Sequence, residues 1–144
     1  MLIKKLAVLG VCGAFLGTVA LDQVKYTSFT ASGQRGGSEN GDVDGVGKLK
    51  IDADGTLRVH VSVSGLQGST TYRVAVTGGD LEIDFGGTSG GITMTTNNSG
   101  HGNFNESLQI GPTSLFGTEV ITLWIDDNGD NVMDDSEKRA VSAR

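Results

Sequence analysis

The chain has 144 residues, 23 of them glycine and one proline, with a formal net charge of −6 at neutral pH. That length fits one domain. The acidic balance argues against nucleic acid, whose phosphates would repel it, and a single cysteine excludes an intrachain disulfide framework.

Lys4-Lys5 followed by the apolar run Leu6–Ala20 has the layout of a secretory signal. The run is short for a membrane span. Thr18-Val19-Ala20 supplies small residues where a signal peptidase reads, so residues 1–20 are expected to be removed after Ala20. A retained N-terminal anchor is the alternative. The mature chain, 21–144, would carry 11 − 2 = 9 basic and 17 acidic residues, a net charge near −8. It is expected to be exported (extracellular, cell-surface or periplasmic), with no membrane span of its own.

From there the pattern is β throughout. Val24–Thr30 reads as a first strand. Residues 31–45 are polar and Gly-rich, the composition of a flexible linker or a long surface loop. Val46–Ile51 alternates with Lys48 and Lys50 outward. Asp52-Ala53-Asp54-Gly55 turns the chain into Thr56–Ser64, where Leu57, Val59, Val61 and Val63 share one face. Tyr72–Thr77 buries Tyr72, Val74 and Val76; Leu81–Phe85 buries Leu81, Ile83 and Phe85. Ile92–Thr96 and Asn103–Ile110 follow, the latter with Phe104, Leu108 and Ile110 inward. Glu119–Ile125 is apolar on both faces, which predicts a central strand, and Lys138–Ala143 is a short last one. Eight or nine short strands joined by Gly-rich turns predict an all-β fold, an antiparallel sandwich or open barrel in a single domain.

Between the last two strands lies Asp126-Asp127-Asn128-Gly129-Asp130-Asn131-Val132-Met133-Asp134-Asp135-Ser136-Glu137. It matches the calcium-loop pattern D-x-[DN]-x-[DN]-G-x5-E at Asp126, Asn128, Asp130 and Glu137, with Asn131 in place of the Gly. Ca²⁺ takes six to eight oxygen ligands. Alternate side chains of a tight loop (Asp126, Asn128, Asp130) can aim inward. Val132 would add its carbonyl, Asp134 a direct or water-bridged contact, and Glu137 both carboxylate oxygens. The sixth position needs a sharp turn, and Asn tolerates the left-handed region better than most residues. A metal-free acidic turn would use the same residue types, but has no reason to place Glu137 in register. Strand-like Val120–Ile125 before the loop argues against a helix–loop–helix switch and for a structural ion.

Leu123–Asp130 with Met133–Glu137 resembles the calcium-loop segment of B-type repeats in bacterial serine-aspartate-rich adhesins, over about twenty residues of 144. That resemblance implies a secreted Ig-like module with structural calcium. More weakly, Asp54–Leu66 resembles strands of chordin-type domains, which are β-sandwiches. Tyr72-Arg73-Val74 stands where those domains tend to carry His-x-His, so no metal role is carried over from them.

Other chemistry is thinner. His60 and His101 are the only histidines, fewer than a zinc or copper site wants. Asp80, Glu82 and Asp84 line one face of a strand, and paired carboxylates can do glycoside chemistry. They are equally suited to pairing with Lys48, Lys50, Arg58 or Arg73 across a sheet. No nucleophile signature occurs. The expected function is therefore non-catalytic: an exported calcium-binding module of surface, matrix or adhesion type, with an extracellular protein or glycan as partner. The alternatives are a small secreted enzyme around those carboxylates or histidines, and a subunit of a polymer in which Val24–Gly45 acts as donor strand.

Overall fold

The computed structural model describes residues 21–29, 43–88 and 91–143. The expected signal segment, and most of the stretch read as a linker, lie outside them.

Nine strands form two antiparallel sheets among the described residues. The first sheet has the order β1 (Gln23–Phe29), β2 (Asp44–Ile51), β3 (Thr56–Ser64), β7 (Gly102–Gln109). The second is built on β4 (Thr71–Gly78) and β8 (Val120–Trp124), with β9 (Lys138–Val141) beyond β8. On the other side of β4 lie β5 (Leu81–Asp84) and β6 (Thr93–Thr95). These two pair with successive halves of β4, so they form one strand line broken by a single helical turn, α1 (Phe85–Thr88). The expected all-β sandwich is the observed architecture, and β8 is central, as its two apolar faces predict.

The clean alternation of β3 places Leu57, Val59, Val61 and Val63 in the core and turns Arg58 and His60 outward. From the second sheet Tyr72, Val74, Val76, Ile121 and Leu123 meet them. Phe85 and Phe104 bridge the layers edge to face, with ring centroids 5.2 Å apart. Gly47 marks how closely the sheets approach, because a Cβ there would lie 2.6 Å from Cδ1 of Ile121. The β2–β3 hairpin turns at Gly55, whose φ of 84° favours glycine. A Cβ at Gly55 would also lie 2.4 Å from the backbone of Gly111.

Two sequence expectations change. Asp44 and Gly45, read as the end of a loop, belong to β2, and Val43 before them is fully buried. Phe85 is buried but opens α1, where Gly86-Gly87 release the chain from the sheet. Of the Val24–Gly45 stretch offered as a donor strand, residues 30–42 lie outside the described residues; its start lies in β1, which pairs along its whole length with β2 of the same chain. Its Ser28 carbonyl also accepts the Ala143 N–H at 2.8 Å, joining the two sheets at that edge.

No helix among the described residues is long and apolar enough to cross a membrane.

Candidate metal centre

Residues 126–137 connect β8 to β9, two neighbours in the second sheet. The loop is closed at its base by the Ile125 N–H donating to the Glu137 carbonyl at 3.1 Å. It is then wound by its own side chains. Asp126 accepts from the N–H of Gly129 at 2.8 Å and of Asn131 at 3.2 Å. The Asn128 carbonyl oxygen accepts from Asp130 N–H, and the Asp130 carboxylate from Val132 N–H, both at 2.8 Å. The Asn128 and Asp130 bonds are Asx turns, one reason Asp and Asn alternate here. Asn131 adopts φ 64°, the left-handed turn required at the sixth position of a calcium loop.

Glu137 is 3% exposed. One carboxylate oxygen accepts from the N–H of Asp127 at 2.8 Å and of Asn128 at 3.3 Å; the other accepts from Asp134 N–H at 3.2 Å. The side chain thus ties the start of the loop to the 3₁₀ turn Asp135–Glu137 at its end. Three charge-assisted bonds make it the organising residue of the loop.

Asp126, Asp130 and Glu137 each bring one carboxylate oxygen to within 4.8 Å of the others, the one group of three or more potential metal-ligating acids, histidines or cysteines among the described residues. The donor set fits a hard cation, being all oxygen and all anionic. Of the other expected ligands, Asn128 sits beside Asp130, its amide donating to that carboxylate at 3.2 Å. Val132 reaches the cluster through its N–H, and its side chain points largely to solvent. Asp134 is exposed, is not in the converging group, and meets Glu137 through its backbone.

Two arginines complete the centre. Arg73 on β4, with a side chain 13% exposed, donates to Asp126 and to the Asn131 side-chain carbonyl, both at 2.9 Å. It also pairs with Asp84 at 2.5 Å and stacks 4.4 Å from the Trp124 ring centroid. Arg139 on β9 pairs with Asp127 and donates to the Ser136 carbonyl. Neither arginine is visible in the loop pattern, because both act from strands outside it. Glycines 86 and 87 leave room for Arg73: Cβ atoms there would lie 2.6 Å from its Nε and 2.9 Å from its Nη2.

Trp124 is fully buried yet sits on the face of β8 opposite Leu123 and outside the core cluster. Arg73 lies over its ring. A groove of about 340 Å³ beside it has Glu82, Asp84 and Ala75 on one side and Asn131, Val132 and Met133 of the loop on the other. The loop therefore folds back against the outer face of the second sheet.

The rival chemistry does not assemble into a comparable group. Asp80 lies in a turn, Glu82 is exposed, and Asp84 is held by Arg73. His60 is exposed on the opposite sheet, and His101 is exposed in the loop before β7.

No protein-family model, curated protein or solved structure matches the chain.

Proposed function

We propose that the protein is a non-catalytic β-sandwich module, exported and of surface, matrix or adhesion type, in which one Ca²⁺ stabilises the β8–β9 connection. The observation that carries this reading is the convergence of Asp126, Asp130 and Glu137 around a loop whose sixth residue, Asn131, is left-handed. The resemblance of this segment to calcium loops of secreted adhesin repeats points the same way. Asp126, Asp130 and Glu137 would hold the ion, with Asn128, the Val132 carbonyl and Asp134 completing the shell as the loop adjusts. The ion would supply no reaction chemistry; it would neutralise crowded carboxylates and fix the loop over Trp124.

Extracellular calcium modules bind at roughly 0.1–1 mM. With free calcium about tenfold above the dissociation constant, the ion adds roughly 1.4 kcal/mol to the folded state. Isothermal titration with calcium, with magnesium as the competing dication, tests this. One bound calcium per chain, with magnesium much weaker, is expected; no heat and no protection against thermal unfolding would overturn the reading.

A further inference from the structure

The outer face of the first sheet differs in charge from the rest of this acidic chain. Its cross-strand register sets Tyr26, Lys48, His60 and Asn105 in one row, and Val24, Lys50, Arg58 and Ser107 in the next. Between the rows lies a groove of about 130 Å³ lined by Lys48, Lys50, Arg58, Val59, His60 and Asn105, with no carboxylate among them. At one end Asp22 and Asp52 hold Lys50 at 3.1 and 2.7 Å, and Asp52 also holds Arg58 at 2.6 Å. Those pairs fix two cations in place and partly neutralise them. Lys48 has no carboxylate among the described residues; its ammonium lies 5.5 Å from the Tyr26 ring centroid. Tyr26 is 73% exposed.

We propose that this face binds an acidic polysaccharide, with a carboxylate or sulfate group seated in the Lys48–His60–Asn105 groove and a sugar ring stacked on Tyr26. The charge complementarity is local. A ligand anion meets Lys48, the imidazole and the Asn105 amide, while the chain's net negative charge keeps it from binding polyanions indiscriminately. An exposed aromatic ring offers its face to the C–H side of a pyranose. Asn103, Asn105 and Ser107 line β7 with amide and hydroxyl groups suited to sugar hydroxyls. Strands spaced about 4.8 Å apart make the row from β1 to β7 roughly 14 Å long, enough for a short oligosaccharide rather than a single ion. An acidic peptide would make no use of the exposed ring and amide row together. An anionic bilayer would want a broader apolar surface than Val24, Tyr26 and Val46 provide.

The test is fluorescence anisotropy of the intact protein with labelled heparin and labelled polygalacturonate at low salt, in the presence of chelator. Chelator separates this proposal from the calcium reading, and the Glu137→Gln variant is expected to bind as the wild type does. Lys48→Glu should weaken binding by about tenfold or more and Tyr26→Ala by several-fold; Lys48→Gln, which keeps the stem of the side chain, should fall between. Circular dichroism and melting should be unchanged in each. No binding of either polysaccharide, equal binding of neutral dextran, undiminished binding by Lys48→Glu, or tighter binding to phosphatidylserine vesicles, an oligo-glutamate peptide or an oligonucleotide would overturn the proposal.

Discussion

Arg73 donates to Asp126 across 53 residues of sequence, at 2.9 Å. The contact brings a fixed positive charge to the edge of the cluster that would hold calcium. It serves the fold through Asp84 and Trp124, and it opposes a dication at the same carboxylate.

Arg73→Met should therefore separate two quantities. Stability without calcium should fall by about 2 kcal/mol, since Asp84 and Asp126 lose their partner and Trp124 its cover. Calcium affinity should rise, on the order of tenfold, as like-charge repulsion is removed. Urea unfolding in chelator measures the first effect and calorimetric titration the second. Loss of stability together with weakened calcium binding would show that Arg73 builds the site rather than competes for it.

Gly86→Ala reaches the same side chain from the other side. Its Cβ would press on Nε, Cγ and Cδ of Arg73 at 2.6–3.2 Å. Because a flexible side chain can yield, the expected cost is about 1 kcal/mol. Emission from the only tryptophan, Trp124, should change as the guanidinium shifts. An unaltered spectrum and unaltered stability would place Arg73 elsewhere.

Gly47→Ala probes the sandwich itself. The new methyl would sit 2.6 Å from Ile121 Cδ1 and 2.9 Å from Thr27 Cγ2, in a core packed from both sheets. Overpacking of this kind costs about 1–3 kcal/mol, so the melting temperature should drop by several degrees. A neutral substitution would mean that the sheets do not meet at Gly47.

The Asp22–Lys50–Asp52–Arg58 group gives a pH signature. Hydrogen bonds from Lys50 and then Arg58 lower the Asp52 pKa below 3.8. The Ala53 N–H, then Lys50, lowers that of Asp22. Lys50 is raised above 10.5, chiefly by its bond to Asp52 and next by Asp22. The two aspartates therefore contribute stability above the unfolded carboxylate value that is lost as pH falls through their lowered folded values. The Lys50 contribution is present below 10.5 and is lost as pH rises through the raised value. These are exposed pairs, so the effect is small. In chelator, Asp52→Asn should flatten the acid limb of the urea midpoint by lowering its neutral plateau slightly while leaving the low-pH end unchanged. An unchanged acid limb would remove the pairing from the account.

Much of the sandwich is legible where packing is local. The period-two pattern of Thr56–Ser64 returns as β3 with the same ends, because one face meets the core and the other meets water. Glycine-rich composition misled at Asp44-Gly45, where pairing with Ser64 and Val63 overrides turn propensity. The loop's turns were readable, since Asp126, Asn128 and Asp130 bond to amides two to five residues away. Its clamps were not. Of the four cations offered to Asp84, only Arg73 meets it; Lys48, Lys50 and Arg58 belong to the other sheet. Nothing local announces such a choice, and the burial of Trp124 beneath Arg73 depends on it.

The most direct test of the central claim is a pair of thermal melts, with calcium and with chelator, on the wild type and on Glu137→Gln. The amide retains an oxygen for the Asp127 N–H but loses the charge. The wild type should melt several degrees higher in calcium, corresponding to roughly 1–2 kcal/mol, and Glu137→Gln should show no difference between the two conditions. A wild type that melts identically with and without calcium, or a Glu137→Gln variant that keeps the full calcium response, would contradict the claim.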